Sequence, residues 1–316
     1  MRTQIGFMAT VCVAAVLLSG PARGQTQVPY ATSPSPGGAV VFNGTMYLFY
    51  VLGGQPTGGY LQYQTSDGTT WSARMTVPQS SPYYIAANSA PRAAVFNNRL
   101  YVFYTCGDAR IRYWSMDPAG NWSSNAGVVP GAANFSPGIA AFNGRLYAAW
   151  RATDLNTSLF YASMDTAGNW TGTARLTVGE SSRGPALASF VAADGVAYLY
   201  GVWKDRQCQD CAEKMWYSRM TPTVGWTSGA QVESGDYPMT ARDPFIAAAN
   251  GGLSVVYTGG YNAGLYYKNL TPSLAWQSEV LADASAPQSP MTAAYVSGHL
   301  HAFYLSNNYI YEEVLY

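Results

Sequence analysis

The sequence predicts an all-β fold, a six-bladed β-propeller of four-stranded antiparallel blades. Three observations predict it. A unit of about fifty residues recurs six times along the chain. Each copy carries a two-residue turn of the kind that closes β-hairpins. Five copies carry a Trp at the same place, with spacings of 51, 48, 56 and 50 residues. No helical periodicity interrupts the pattern, and four short strands per unit make one blade of a ring around a central channel.

The copies start near Ser35, Ser89, Phe135, Ser182, Thr240 and Ser289. Each opens on small apolar residues, the expected innermost strand. A turn follows, at Asn43-Gly44, Asn97-Asn98, Asn143-Gly144, Asp194-Gly195, Asn250-Gly251 and Ser297-Gly298. These dipeptides suit type I′ turns, in which both central residues take positive φ. Aromatic-rich runs supply the second strand (Met46 to Val51 in the first copy) and the third (Tyr60 to Gln64). A polar turn then leads to Trp71, Trp122, Trp170, Trp226 or Trp276, which open the fourth strand and pack between blades. The sixth copy ends at Tyr316 after its third strand. The segment Thr26 to Thr32 is expected to supply the missing strand and latch the ring, because an open ring exposes sheet edges.

Residues 1–24 read as a signal peptide: Arg2, an apolar stretch from Ile5 to Leu18, then Ala22-Arg23-Gly24 before a cleavage at Gln25. The propeller domain is then residues 25–316, secreted or periplasmic, and expected to be monomeric. No later segment reaches the length of a membrane span, so no membrane insertion is expected. Charged residues are 11% of the chain and the formal net charge is zero. That balance offers no basic footprint for nucleic acid. Cys208 and Cys211 stand as a CxxC and are expected to form a small loop disulfide in an oxidising compartment. Cys106 is left over and expected to be buried. His299 and His301 are the two histidines. They form no ligand set with the CxxC, so no metal and no cofactor is expected.

The turn before the Trp reads Thr65-Ser66-Asp67-Gly68-Thr69-Thr70-Trp71 in the first copy. It reads Ser115-Met116-Asp117-Pro118-Ala119-Gly120-Asn121-Trp122 in the second and Ser163-Met164-Asp165-Thr166-Ala167-Gly168-Asn169-Trp170 in the third. These turns resemble the Asp-box repeat of sialidases and related six-bladed propellers, where the Asp caps a tight turn and has a structural role. The aromatic blades are also similar to those of bacterial and fungal propeller lectins.

The sialidase resemblance implies an arginine cluster for a sugar carboxylate, a Tyr nucleophile paired with a Glu, and an Asp acid/base. Arg92, Arg183 and Arg242 precede inner strands at equivalent places and would converge on one end of the channel. A guanidinium fork matches a carboxylate in two hydrogen bonds. Ser182-Arg183-Gly184-Pro185 is similar to the Arg-Ile-Pro motif of that family, Asp210 falls where it carries its acid/base, and Tyr311 with Glu312 are the candidates for the nucleophilic pair. Arg242-Asp243-Pro244-Phe245 resembles the Arg-Asp-Pro motif of five-bladed glycosidases, which implies a transition-state role for Asp243. Those arginines can equally be structural, bonded to carbonyls around the channel.

The lectin resemblance implies glycan partners and stacking platforms on third strands. Arg112, Trp114, Arg219 and Tyr267 are the candidates, Arg112 and Arg219 matching the repeated Arg of fucose-binding propellers. Three functions are therefore open: carbohydrate recognition, sialidase-like hydrolysis, and a protein-interaction platform.

Overall fold

A computed structural model describes residues 25–32, 35–52, 59–78, 85–86, 89–153, 157–205, 214–232, 243–249, 252–259, 264–284 and 291–315. Among these, every regular element is a strand, and the strands form six four-stranded antiparallel sheets, each a blade. The innermost strands of blades 1 to 6 are Ser35–Phe42, Arg92–Phe96, Gly138–Phe142, Ala186–Val191, Phe245–Ala249 and Met291–Val296. In blades 1 to 5 the remaining strands follow outward in chain order. In blade 6 the outermost strand is Thr26–Thr32, paired antiparallel with Tyr309–Val314. The N-terminal segment is the latch, and it buries Val28 and Ala31 completely.

Turn chemistry explains the hairpins. Asn43-Gly44 (φ 50° and 76°), Asn97-Asn98 (47° and 56°), Asn143-Gly144 (46° and 70°) and Ser297-Gly298 (51° and 85°) all take two positive φ values. Asp194-Gly195 departs from the expectation, since only Gly195 is positive, at 76°. Here Gly195 N–H donates to the carbonyl of Ala192, and Ala192 N–H to that of Val196. The loop is therefore one residue longer, a turn closed by a left-handed glycine. Asn250-Gly251 lies outside the described residues.

Packing explains the small inner residues. Six strands converge on one axis, so adjacent backbones nearly touch: a Cβ on Gly38 would sit 2.4 Å from the Ala93 nitrogen of the next blade. Side chains stitch the inner ring where there is room, as when Thr292 Oγ1 accepts from Ala39 N–H at 3.0 Å. Each repeat Trp leans edge-on against an aromatic ring of the preceding blade: Trp71 on Phe303, Trp122 on Phe49, Trp170 on Phe103, Trp226 on Tyr161 and Trp276 on Tyr217. Centroids are 5.6–6.3 Å apart and ring planes 64–88° apart, the edge-to-face geometry aromatic pairs favour. The Trp residues sit between blades as expected. They do not open the fourth strands, however: Trp71, Trp122, Trp170 and Trp276 form isolated bridges ahead of them.

The aspartates of the polar turns act on the backbone. Asp67 Oδ1 accepts from Thr69 and Thr70 N–H, both at 2.8 Å. Asp117 accepts from Ala119 and Asn121, and Asp165 from Ala167 and Asn169, at 2.8–3.0 Å. Blades 4 and 5 substitute hydroxyls, with Thr221 and Thr271 accepting from Val224 and Ala275 N–H.

Candidate functional site at the channel mouth

Inner strands begin, and second strands finish, at one end of the channel. The charged residues there come from segments that the strand pattern leaves as connections. Below them lies a cavity of about 280 Å³ walled by all six inner strands, among them Val41, Ile139, Leu187, Ile246 and Tyr295. Arg92 apart, its side chains are mostly small or apolar, because the inner strands are rich in Ala, Val and Ile.

Arg92 and Phe245 line this cavity from opposite blades. The Arg92 guanidinium carbon lies 5.2 Å from the Phe245 ring centroid, so the side chain crosses the channel from blade 2 to blade 5. Arg92 is only 5% exposed. Burial pulls its pKa down and the attraction of Asp243 offsets that. Asp243 itself is pushed up by burial, against the pull of Arg92, Arg183, the Gly184 N–H and Lys204. One carboxyl is thus surrounded by three cations.

A second aromatic stands at the rim. Phe135, in the connection between blades 2 and 3, has the Arg151 guanidinium carbon 5.1 Å and that of Arg183 5.4 Å from its ring centroid. Guanidinium planes stack on aromatic faces and keep their N–H edges available. The Arg183 backbone is fixed by Ser181, whose hydroxyl donates to the Arg183 carbonyl at 2.7 Å and accepts from its N–H at 3.2 Å. Arg151 is depressed first by burial and then by Arg183. The structure therefore brings together Arg92, Arg183 and Asp243, and adds Arg151, Lys204, Phe135 and Phe245. Arg242, Asp210, Cys208 and Cys211 lie outside the described residues.

The third-strand candidates are engaged elsewhere. Arg112 is buried and makes two 2.8 Å hydrogen bonds to Asp108. Trp114 is 2% exposed and donates to Tyr104 Oη, so it offers no ring to a ligand. Arg219 donates to Tyr200 Oη at 3.0 Å and stacks over Tyr198. Tyr267 is partly buried against the core between blades 5 and 6. Alternation along these strands turns the candidates into the blade interfaces.

Tyr311 and Glu312 do not join Asp243. Tyr311 stacks on Tyr304, with centroids 6.2 Å apart. Glu312 bonds His301 Nδ1 at 2.6 Å through Oε1, and its Oε2 accepts from Trp71 Nε1 at 3.3 Å. The Trp71 contact crosses the seam between blades 6 and 1, and the His301 contact lies within blade 6. His299 is exposed while His301 is buried, and no group of metal-binding side chains occurs among the described residues. Cys106 is buried as a free thiol.

Arg151 and Lys204 escaped notice in the sequence because they stand at the ends of second strands rather than before inner strands, where Arg92 and Arg183 drew attention. A signal was present: the second strands of blades 3 and 4, apolar or aromatic through their interiors, finish on a cation.

No known family profile and no curated protein sequence matches the chain. Solved structures do. A triple Arg-to-Ala variant of AofleA from Arthrobotrys oligospora is similar over 93% of this chain and 86% of that one, with a TM-score of 0.69 and 12% identity. The fucose-recognising six-bladed lectin of Aleuria aurantia is similar over 80% of both chains, with a TM-score of 0.59 and 16% identity. An α-L-arabinanase from Penicillium chrysogenum, complexed with arabinobiose, is similar over 91% of this chain and 94% of that one, with a TM-score of 0.64 and 14% identity. At these identities the likeness defines the propeller fold.

Proposed function

We propose that this chain is a secreted, monomeric carbohydrate-binding propeller whose ligand sits at the channel mouth. The observation that carries the reading is the rim itself: guanidiniums held on aromatic rings beside a carboxyl, above a cavity walled by all six blades. Sugar hydroxyls take planar donors and acceptors in pairs, and an apolar wall accommodates the face of a sugar ring. Support also comes from the similar structures, which include a lectin described by its fucose recognition and an enzyme holding arabinobiose. The apolar leader supports export.

The test is a glycan array probed with purified residues 25–316, with wild type beside Arg183→Ala and Phe135→Ala. Stable binding to intact sugars, weakened by at least about tenfold in both variants, is the expected result. Binding that both variants retain in full would move the site away from the rim. Silence on every sugar would remove the carbohydrate reading and leave a protein-interaction platform.

One observation favours a second reading, sialidase-like or related hydrolysis. Asp243 holds its proton more tightly than an ordinary carboxyl while sitting among cations, as a general acid does. Hydrolysis needs a partner group as well, and Tyr311 packs on the core between blades 5 and 6 while Glu312 is engaged by His301 and Trp71. Free sugar released from the array glycans, and abolished in Asp243→Asn, would place hydrolysis ahead of binding.

A further inference from the structure

The latch begins where the leader ends. Cleavage before Gln25 makes that residue the first of the exported chain, one position ahead of the strand Thr26–Thr32. Its side chain is already engaged: Gln25 Nε2 donates to Asp283 Oδ2 and to Tyr304 Oη. Tyr304 Oη donates to the same Asp283 oxygen at 3.1 Å. Asp283 ends the outer strand of blade 5, Val280–Asp283, and Tyr304 lies in the second strand of blade 6, His299–Ser306. The chain end therefore ties the latch across the seam between blades 5 and 6.

Charge at this corner is one-sided. Burial, then Asp283, pushes the Glu313 carboxyl up, and Asp283 is the one charge acting on it among the described residues. Burial, Asp283, Glu313 and Tyr311 push the Tyr304 hydroxyl up as well. An anion so placed attracts any cation within a Debye length, roughly 10 Å at 0.1 M salt. Gln25 touches Asp283 through its own side chain, and covalent geometry keeps its α-nitrogen inside that distance. In the precursor this nitrogen is an uncharged amide. Cleavage turns it into an α-ammonium, protonated below about pH 8.

We propose that Asp283 binds the α-ammonium freed at Gln25 by leader removal, so that processing itself fastens the latch. The proposal rests on the cleavage read from the sequence and is independent of any ligand at the channel mouth. The pairing also guards the terminus chemically. An N-terminal glutamine cyclises when its neutral α-nitrogen attacks its own Cδ: a C–N bond forms, the Cδ–Nε2 bond breaks, ammonia leaves and the lactam carries no charge. A protonated amine has no lone pair for that attack, and here Nε2 is held by Asp283 and Tyr304 besides.

The test is hydrogen exchange of the latch, residues 26–32, followed by mass spectrometry at about pH 6, where an α-amine is charged. Full-length precursor is expressed with its leader, and the exported protein is compared with a form carrying Gly-Ser ahead of Gln25. The extension keeps the Gln25 side chain and moves the charge away. Latch exchange is expected to be at least about threefold faster in the extended form, and the gap should shrink in high salt. In Asp283→Asn the two forms should exchange alike. That variant should also lose ammonia from Gln25 faster on storage, read by intact mass. Thermal melts confirm that the variant is folded, and the salt series tests the pairing without it.

Equal latch exchange in the two wild-type forms would overturn the proposal. So would a gap that persists undiminished in Asp283→Asn or in high salt, because the extension would then act by bulk alone. An exported protein that starts elsewhere than Gln25, or that arrives already cyclised, would overturn it at the first mass measurement.

Discussion

Asp67, Asp117 and Asp165 are exposed or nearly so, yet each is held below the usual carboxylate range, chiefly by the backbone N–H groups it accepts. A carboxyl that loses its proton more readily when folded contributes stability above the ordinary carboxylate pKa and loses it as pH falls through the folded value. Asp67→Ala is therefore expected to melt earlier than wild type at neutral pH, with the gap closing in acid. Melting curves across a pH series check this. Glu313 carries the opposite sign. Burial, then Asp283, pushes its carboxyl up to about 7, and its Oε2 is buried without a partner. The folded protein holds that proton more tightly than the unfolded chain. Its stabilising effect is complete below the ordinary carboxylate range and fades as pH climbs through about 7. Glu313→Gln should gain on wild type as urea unfolding is repeated from roughly pH 5 to about pH 8. At the channel, Arg92→Ala removes the cation that acts most strongly on Asp243 and should cost about 3 kcal/mol in urea unfolding. Adding Asp243→Asn should recover part of that loss.

The elements show which local rules wrote the fold. Asn-Gly and Asn-Asn pairs gave the hairpins away because they tolerate positive φ at both central positions. The latch was legible from a sixth copy that stopped one strand short. Asp194-Gly195 misled because Asp-Gly also closes the longer loop seen there, and dipeptide identity does not set loop length. At the polar turns, Gly68, Gly120 and Gly168 take φ values of 95°, 86° and 87°. Gly168 has open space around a would-be Cβ, so Gly168→Ala isolates backbone strain and should cost about 1 kcal/mol in chemical unfolding. In blade 5 the equivalent role falls to Leu274 at φ 64°, tolerated because its side chain packs on the core between blades 4 and 5. The third-strand aromatics were read as ligand platforms because period-two alternation predicts that some face outward. Alternation does not say which face a neighbouring blade covers, and here the interfaces took Trp114 and Arg112. Convergence at the mouth was half legible: repeat position found Arg92 and Arg183. Phe245 and Phe135 as their partners depend on ring closure, which sequence spacing does not contain.

At the scale of the whole ring, six clusters of buried side chains each bridge two neighbouring blades. Stability is shared around the circle, and the seam between blades 6 and 1 depends on residues far apart in the chain. Deleting residues 25–32 removes Val28 and Ala31 from that seam and bares the blade 6 edge. The truncated protein is expected to melt at least about 5 °C lower and to self-associate, which calorimetry and size-exclusion chromatography would register. Arg92 has a further consequence at this scale. Its side chain bridges the bore between opposite walls, so the propeller is a socket closed partway down and not a tube. A polymer cannot be drawn through it. A ligand docked at the mouth would enter and leave by the same face.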